Sequence, residues 1–160
     1  MTAGAVTESR GVSLPPAWEL AAVFPFLSAQ ELEGLLPSLA MRSVAAGEVL
    51  MRDGDVADFM AFLLAGRLAV KKETSFPGKY ILVAVIEPGG VVGELAAVEK
   101  GQRNATVVAM DDCRLLVLTA EAMTRLLAEQ NPLGVTLLKR IIHVQGHRLR
   151  RASDRLSWIL

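Results

Sequence analysis

The chain has 160 residues, 52% of them hydrophobic and 21% charged, with basic and acidic residues balanced at 17 each. That is enough for one domain with a true core; it excludes a disordered chain and gives no bulk attraction to nucleic acid or an anionic membrane. A single cysteine, Cys113, excludes an internal disulfide, a four-cysteine zinc site and a self-contained iron–sulfur cluster, and with neither a membrane-length apolar run nor a leader-like N-terminus the expectation is cytoplasmic.

Residues 1–16 are small and polar and close on Pro15-Pro16, which predicts a flexible N-terminal tail. Trp18 to Phe26 predicts a short helix that ends at Pro25. Ser28 with Glu31 is a capping-box pattern, followed by Leu32, Leu35 and Leu36 at helical spacing and stopped by Pro37. From Met41 to Leu118 the texture changes. EVLMR, FMAFLLAG, RLAVKKE, YILVAVI, TVVAM and CRLLVLT read as strands, separated by turn signals such as Asp53-Gly54-Asp55, Ser75-Phe76-Pro77-Gly78 and Pro88-Gly89-Gly90. Turns recur about every 8–12 residues, the rhythm of a β-sandwich or barrel.

After Thr119 the period turns helical again. Thr119 is placed as N-cap for AEAMTRLLAEQ, with Ala122, Met123, Leu126 and Leu127 on one face. Asn131-Pro132 opens a second helix that runs nearly to the C-terminus. In it Val135, Leu138, Ile142, Gln145, Leu149, Ala152, Leu156 and Ile159 form an a/d seam, with the polar Gln145 at one d position. Two readings follow: a homodimer through this seam, or one helix packed on its own β-domain. The first two turns are expected to pack there in either case, and the distal half has little chain of its own to cover it.

The densest chemical signal is Val92–Val107, VGELAAVEKGQRNATV: a Gly-Glu pair, small residues, a fixed gap to one Arg, then an apolar strand. This stretch resembles the phosphate-binding cassette of the cyclic nucleotide-binding domain family, which includes the catabolite activator protein and the regulatory subunits of cAMP-dependent kinase. Gly47-Glu48-Val49-Leu50, Asp53-Gly54-Asp55 and Leu63 to Leu68 resemble the glycine turns of that family's β-roll. The resemblance covers roughly residues 20–155. It implies a mainly β fold, a jelly-roll-like double-stranded β-helix with N-terminal helices and a long C-terminal helix. The expected division is a tail at 1–16, a nucleotide-binding β-roll with flanking helices at 17–130, and a dimerisation or lid helix at 131–160.

The resemblance also implies roles. Glu94 accepts a hydrogen bond from the ribose 2′-hydroxyl and Arg103 pairs with the cyclic phosphate, roles that suit a carboxylate and a forked guanidinium. Gly93 permits close backbone approach, and Leu95 and Ala96 begin a short helix whose N–H groups face the anion. Asn104, Ala105 and Thr106 lie alongside; Leu82 and Val83 wall the purine. Arg150, Arg151, Ser153 and Trp158 are the lid candidates on the last helix. Two residues depart from the family pattern: Gln102 stands where Pro is usual, and Val92 where Phe is usual. Asn104 does not decide between cAMP and cGMP, although cAMP is favoured as the ligand. The competing reading of Glu94 and Arg103 is a structural salt bridge.

His143 and His147 have an i, i+4 spacing but no third ligand in sequence, so they read as solvated and no metal is expected. The basic residues between 139 and 155 read as a solvated helix face, and direct nucleic-acid binding is not expected. No catalytic grouping is legible and no enzyme activity is expected. With no helix-turn-helix, kinase or channel segment in the sequence given, the expectation is a cyclic nucleotide sensor, dimeric, acting on a downstream protein. The alternatives are a β-roll that binds no nucleotide and works as a dimeric interaction protein, a transcription regulator lacking its DNA-binding part, and a small barrel enzyme.

Overall fold

The computed structural model describes residues 13–129 and 131–159. Most of the expected tail, residues 1–12, lies outside the described residues, as do Gln130 and Leu160. The chain enters through α1 (Ala17–Val23) and α2 (Ala29–Leu35). Helix α1 ends at Val23, two residues before the expected Pro25. Pro25 disfavours helical geometry at the residue before it, and Phe24 adopts φ −116° and ψ 51°. The capping box of α2 is present in full: Ser28 Oγ accepts from Glu31 N at 3.1 Å, and Glu31 Oε2 accepts from Ser28 N at 2.8 Å. A single 3₁₀ turn, Leu36–Ser38, carries Pro37 and ends the helix.

The strands follow as β1 (Ala40–Val44), β2 (Val49–Met51), β3 (Phe59–Ala65), β4 (Leu68–Glu73), β5 (Tyr80–Ile86), β6 (Val91–Val92), β7 (Thr106–Ala109) and β8 (Cys113–Thr119). They form two four-stranded sheets, ordered β1-β8-β3-β6 and β2-β7-β4-β5. Every strand pair is antiparallel. The sequence rhythm finds six of these strands. It does not single out β1, whose AMRSV has one fully buried side chain, nor the two-residue β6.

Strands β3 and β8 are buried on both faces, which explains why FMAFLLA and CRLLVLT are nearly continuous apolar runs. On β3, Ala61 and Leu63 point into the space between the sheets, while Met60, Phe62 and Leu64 point toward the helices. On β8, Cys113 and Leu115 face inward between the sheets, and Leu116 and Leu118 face the helices. Two cores therefore share one sheet. The turn between β3 and β4 depends on Gly66, at φ +84°, where an added β-carbon would stand 2.6 Å from the Asp112 carbonyl oxygen.

Helix α3 (Ala120–Glu129) begins as expected, with Thr119 Oγ1 accepting from Ala122 N at 3.1 Å. Helix α4 (Asn131–Ser157) then crosses the helical layer. Its inner face is Leu133, Leu137 and Ile141, all buried against Leu20, Leu35, Met123 and Leu126. Thr136 donates to Glu31 Oε1 at 3.0 Å, and Arg140 lies 5.0 Å above the Phe26 ring, so α4 is tied to α2 and to the turn after α1. Buried Glu19 on α1 holds Arg114 of β8.

The heptad seam falls mostly outside this packing. Val135, Ile142, Leu149 and Leu156 are exposed, at 39–70%. The distal half of α4 is nonetheless not bare of intrachain contacts, contrary to the expectation. Gln145, Arg148 and Arg155 all hydrogen-bond to the β-roll.

Because Leu63 is fully buried between the sheets, Leu63→Ala should cost about 3 kcal/mol, the usual range for a core leucine truncation. A denaturant titration reads this directly. A loss below about 1 kcal/mol would show that the space between the sheets closes around the missing atoms.

Candidate functional site

The site begins where β6 ends. Gly93 turns the backbone at φ +68°, and an added β-carbon would stand 2.6 Å from both Arg103 Nη1 and Met51 Cε. The close approach therefore needs glycine. Glu94–Ala97 is one 3₁₀ turn, and Ala96 N donates to Gly93 O at 3.1 Å. The Ala96 N–H thus closes the turn rather than facing the cavity as expected. Val92, in place of the usual Phe, is 2% exposed and packs in the core between the sheets.

The loop after this turn is zipped to the β2–β3 loop. Ala57 N donates to Gly101 O at 2.9 Å, Arg103 N to Asp55 O at 2.7 Å, and Gly54 N to Arg103 O at 2.8 Å. Val56 and Gln102 form the bridge between those bonds. The loop before Arg103 is thus held by backbone pairing, although Gln102 replaces the proline that would have stiffened it.

Arg103 is buried, at 7% exposure, with its guanidinium 4.6 Å above the Phe59 ring centroid. Its Nη2 stands 3.7 Å from Asp58 Oδ1, too far for a hydrogen bond, and has no hydrogen-bond partner among the described residues. Burial pushes the guanidinium below its ordinary pKa, opposed by the charges of Asp58, Asp55 and Glu94. A buried cation with an idle donor is costly unless an anion meets it.

Glu94 is buried too, at 2% exposure. It does not pair with Arg103. Its Oε1 accepts from Gln145 Nε2 at 2.5 Å and from Arg148 Nη1. The structural salt bridge considered from sequence, Glu94 with Arg103, is therefore not formed. Both charges face one cavity of about 490 Å³. Val70, Lys72, Val83 and Ala84 from β4 and β5 supply its other wall. Lys72 is already engaged, donating to Asp53 Oδ2 at 2.8 Å and Asn104 O at 2.5 Å.

Of the residues singled out in sequence, Gly93, Glu94, Leu95, Ala96, Arg103, Asn104, Ala105 and Val83 line this cavity. Leu82 is 57% exposed and lies outside the lining. Thr106 also lies outside it; its Oγ1 accepts from Asp53 N at 3.1 Å. Among the lid candidates, Trp158 is 90% exposed, and Arg151 lines a separate cavity of about 570 Å³ beneath α4, beside His143 and His147. The α4 residues at the first cavity are Gln145 and Arg148. Their sequence signal was a polar residue interrupting an apolar seam, with an arginine three residues on.

The arrangement buries a cation whose Nη2 meets no hydrogen-bond acceptor among the described residues, so Arg103 should cost stability rather than supply it. Arg103→Met should leave the ligand-free protein as stable or raise its urea midpoint, since its ion-pair partner Asp58 is exposed and 3.7 Å away and apolar replacement of a buried ion pair is often neutral or stabilising by about 1–4 kcal/mol. A midpoint that falls by more than about 1 kcal/mol in free energy would make Arg103 a structural residue.

The sequence model described as the cyclic nucleotide-binding domain matches residues 41–130. A cyclic nucleotide-gated potassium channel of Rhizobium etli is 30% identical over 132 residues, 81% of this chain and 35% of the channel. A cAMP-dependent protein kinase regulatory subunit of Blastocladiella emersonii is 32% identical over 107 residues, 67% of this chain and 26% of that subunit. The chain thus spans about a third or less of each of these relatives. The solved cyclic nucleotide-binding domain from Methylobacillus flagellatus has the same fold, with a TM-score of 0.79 at 23% identity over 85% of this chain and 81% of that one. With the family match covering more than half its length, the chain belongs to the cyclic nucleotide-binding domain family.

Proposed function

We propose that this chain is a cyclic nucleotide sensor in which Arg103 receives the cyclic phosphate and Glu94 the ribose 2′-hydroxyl. The observation that carries this reading is the buried Arg103 guanidinium, whose Nη2 has no hydrogen-bond partner among the described residues, at a cavity of about 490 Å³. A singly charged phosphate answers that donor, and a planar fork engages two of its oxygens. Gly93, Leu95, Ala96, Asn104 and Ala105 close around the anion, Val83 lies toward the base, and Thr106 steadies the neighbouring loop. The unit of binding is residues 17–130, with residues 131–160 as lid and dimerisation helix.

The favoured ligand is cAMP, the nucleotide for which the Blastocladiella relative is named. The role is regulatory rather than catalytic, as that relative's name also has it. Among the described residues no helix is long and apolar enough to cross a membrane, and we place the protein in the cytoplasm. Isothermal titration with cAMP and cGMP tests the reading. Heat should be seen with both and the tighter binding with cAMP; silence with both at high protein concentration would end it. Arg103→Ala should weaken cAMP by about 100-fold, the loss of one charge-assisted pair.

Helix α4 carries the signal outward in this reading, and a second copy of the chain is its first partner. Val135, Ile142, Leu149 and Leu156 recur every seventh residue and are exposed, the spacing of a coiled-coil seam. Light scattering should therefore report a dimer, and Ile142→Glu with Leu149→Glu should convert it to monomer. A monomeric wild type at high micromolar concentration would remove the dimer from the proposal.

A further inference from the structure

The second cavity, about 570 Å³ beneath α4, has no part in nucleotide recognition. Val83, Ala84, Val85 and Ile86, successive residues of β5, line one side of it. Side chains of a strand alternate between its two faces, so neighbours that all line a cavity present the edge of the strand rather than a face. Among the described residues β5 is the last strand of its sheet and pairs with β4 alone. Open edges invite pairing with another chain, and natural sheets blunt them with charges, prolines, bulges or short length. β5 has one bulge, which leaves Val83 without a β4 partner. There Arg155 Nη1 donates to the Val83 carbonyl oxygen at 3.1 Å, so this edge is open to donors from the α4 side. The strand is otherwise undefended: YILVAVI carries no charge and no proline, and Tyr80, Ile81, Leu82 and Val85 are 41–57% exposed.

Charge selects what covers the edge. The opposite wall is α4, with Arg140, His143, His147, Arg151 and Arg155, and Glu87 is the one acidic residue of the lining. Arg140, Arg151 and Arg155 have no carboxylate partner among the described residues. The floor is apolar and buried: Val23, Phe62, Ile86 and Val91. We propose that this groove takes an extended acidic segment of a partner protein, added as a strand to the free edge of β5. Main-chain pairing supplies the contact and the pockets supply the choice of side chain. Carboxylates on one face of the segment meet the α4 arginines, and apolar side chains on the other meet the floor. A backbone N–H of the segment takes the Val83 carbonyl from Arg155, which frees that guanidinium for a carboxylate. Symmetric pairing with β5 of a second copy would instead set two basic walls against each other. Val135, Ile142, Leu149 and Leu156 are not in the lining, so the coiled-coil seam and the groove use different residues of α4, and neither the nucleotide nor the dimer is needed for strand addition.

The test uses the whole chain and a short fluorescent peptide alternating glutamate and valine, read by anisotropy and by amide hydrogen exchange over residues 80–86. The peptide should bind saturably, more weakly as salt is raised, and should slow exchange along β5. Two control peptides separate the parts of the proposal. One alternates lysine and valine, and should not bind. The other keeps the glutamates but carries N-methyl groups on alternate backbone nitrogens, which removes strand donors without changing charge, and should lose binding. Arg151→Glu with Arg155→Glu, both on the exposed surface of α4, should weaken the glutamate peptide by about tenfold or more, as two pairs become repulsions. No binding of the glutamate peptide at millimolar concentration would overturn the proposal. So would equal binding of either control peptide, or wild-type affinity in the double variant. If exchange over residues 80–86 slows with rising protein concentration in the absence of peptide, a second copy covers the edge and the acidic segment is refuted.

Discussion

Two opposite charges are buried nine positions apart and kept from each other, and the rest of the molecule is arranged around that separation. Arg103 and Glu94 are 7% and 2% exposed, yet each is answered elsewhere. Arg103 has the face of Phe59 and a carboxylate at 3.7 Å; Glu94 has two donors from α4. Had they closed on each other, the cavity would hold a satisfied ion pair and no unmet demand. Holding them apart leaves both charged groups lining one cavity, whose wall mixes apolar Val70, Val83 and Leu95 with polar Lys72, Asn104 and Gln145, the mixture expected of a binding site.

Such a separation of buried charges is a destabilising feature, and it persists because the scaffold around it is over-determined. The 3₁₀ turn hangs from β6, which pairs with β3, the most buried strand of the roll. The Arg103 backbone is fixed from the other side by the β2–β3 loop. Since β3 is packed on both faces, the turn and the loop are positioned by one rigid element that touches both cores. Gly93 admits the guanidinium where any side chain would expel it.

Much of this was legible in the amino-acid sequence because it rests on local rules. Glycine turns at regular intervals mark the strands, Ser28-Glu31 and Thr119 mark helix starts, and the run from Val92 to Val107 marks the site. What was not legible depends on distant pairing. β1 has no apolar alternation of its own and exists because β8 offers it an edge. Gln145 and Arg148 meet Glu94 across 51 and 54 residues, and the polar break in the seam that marks Gln145 does not name its partner. Helix α4 was legible only in part. It has two apolar stripes, and the exposed one repeats every seventh residue, while the buried one, Leu133, Leu137 and Ile141, is the one that packs. Gln145 looked like a flaw in the first stripe because it belongs beside the second.

The doubly buried sheet has an evolutionary corollary. Side chains of the helical core and of the inter-sheet core alternate along β3 and β8, so each layer is free to drift with its own neighbours while the shared backbone stays put. Positions 94, 145 and 148 escape that partition, because they join pocket to helix through hydrogen bonds that tolerate little change in length or charge. Across divergent homologues, substitution at one of these three sites is expected to travel with substitution at another, while the apolar residues around them vary independently.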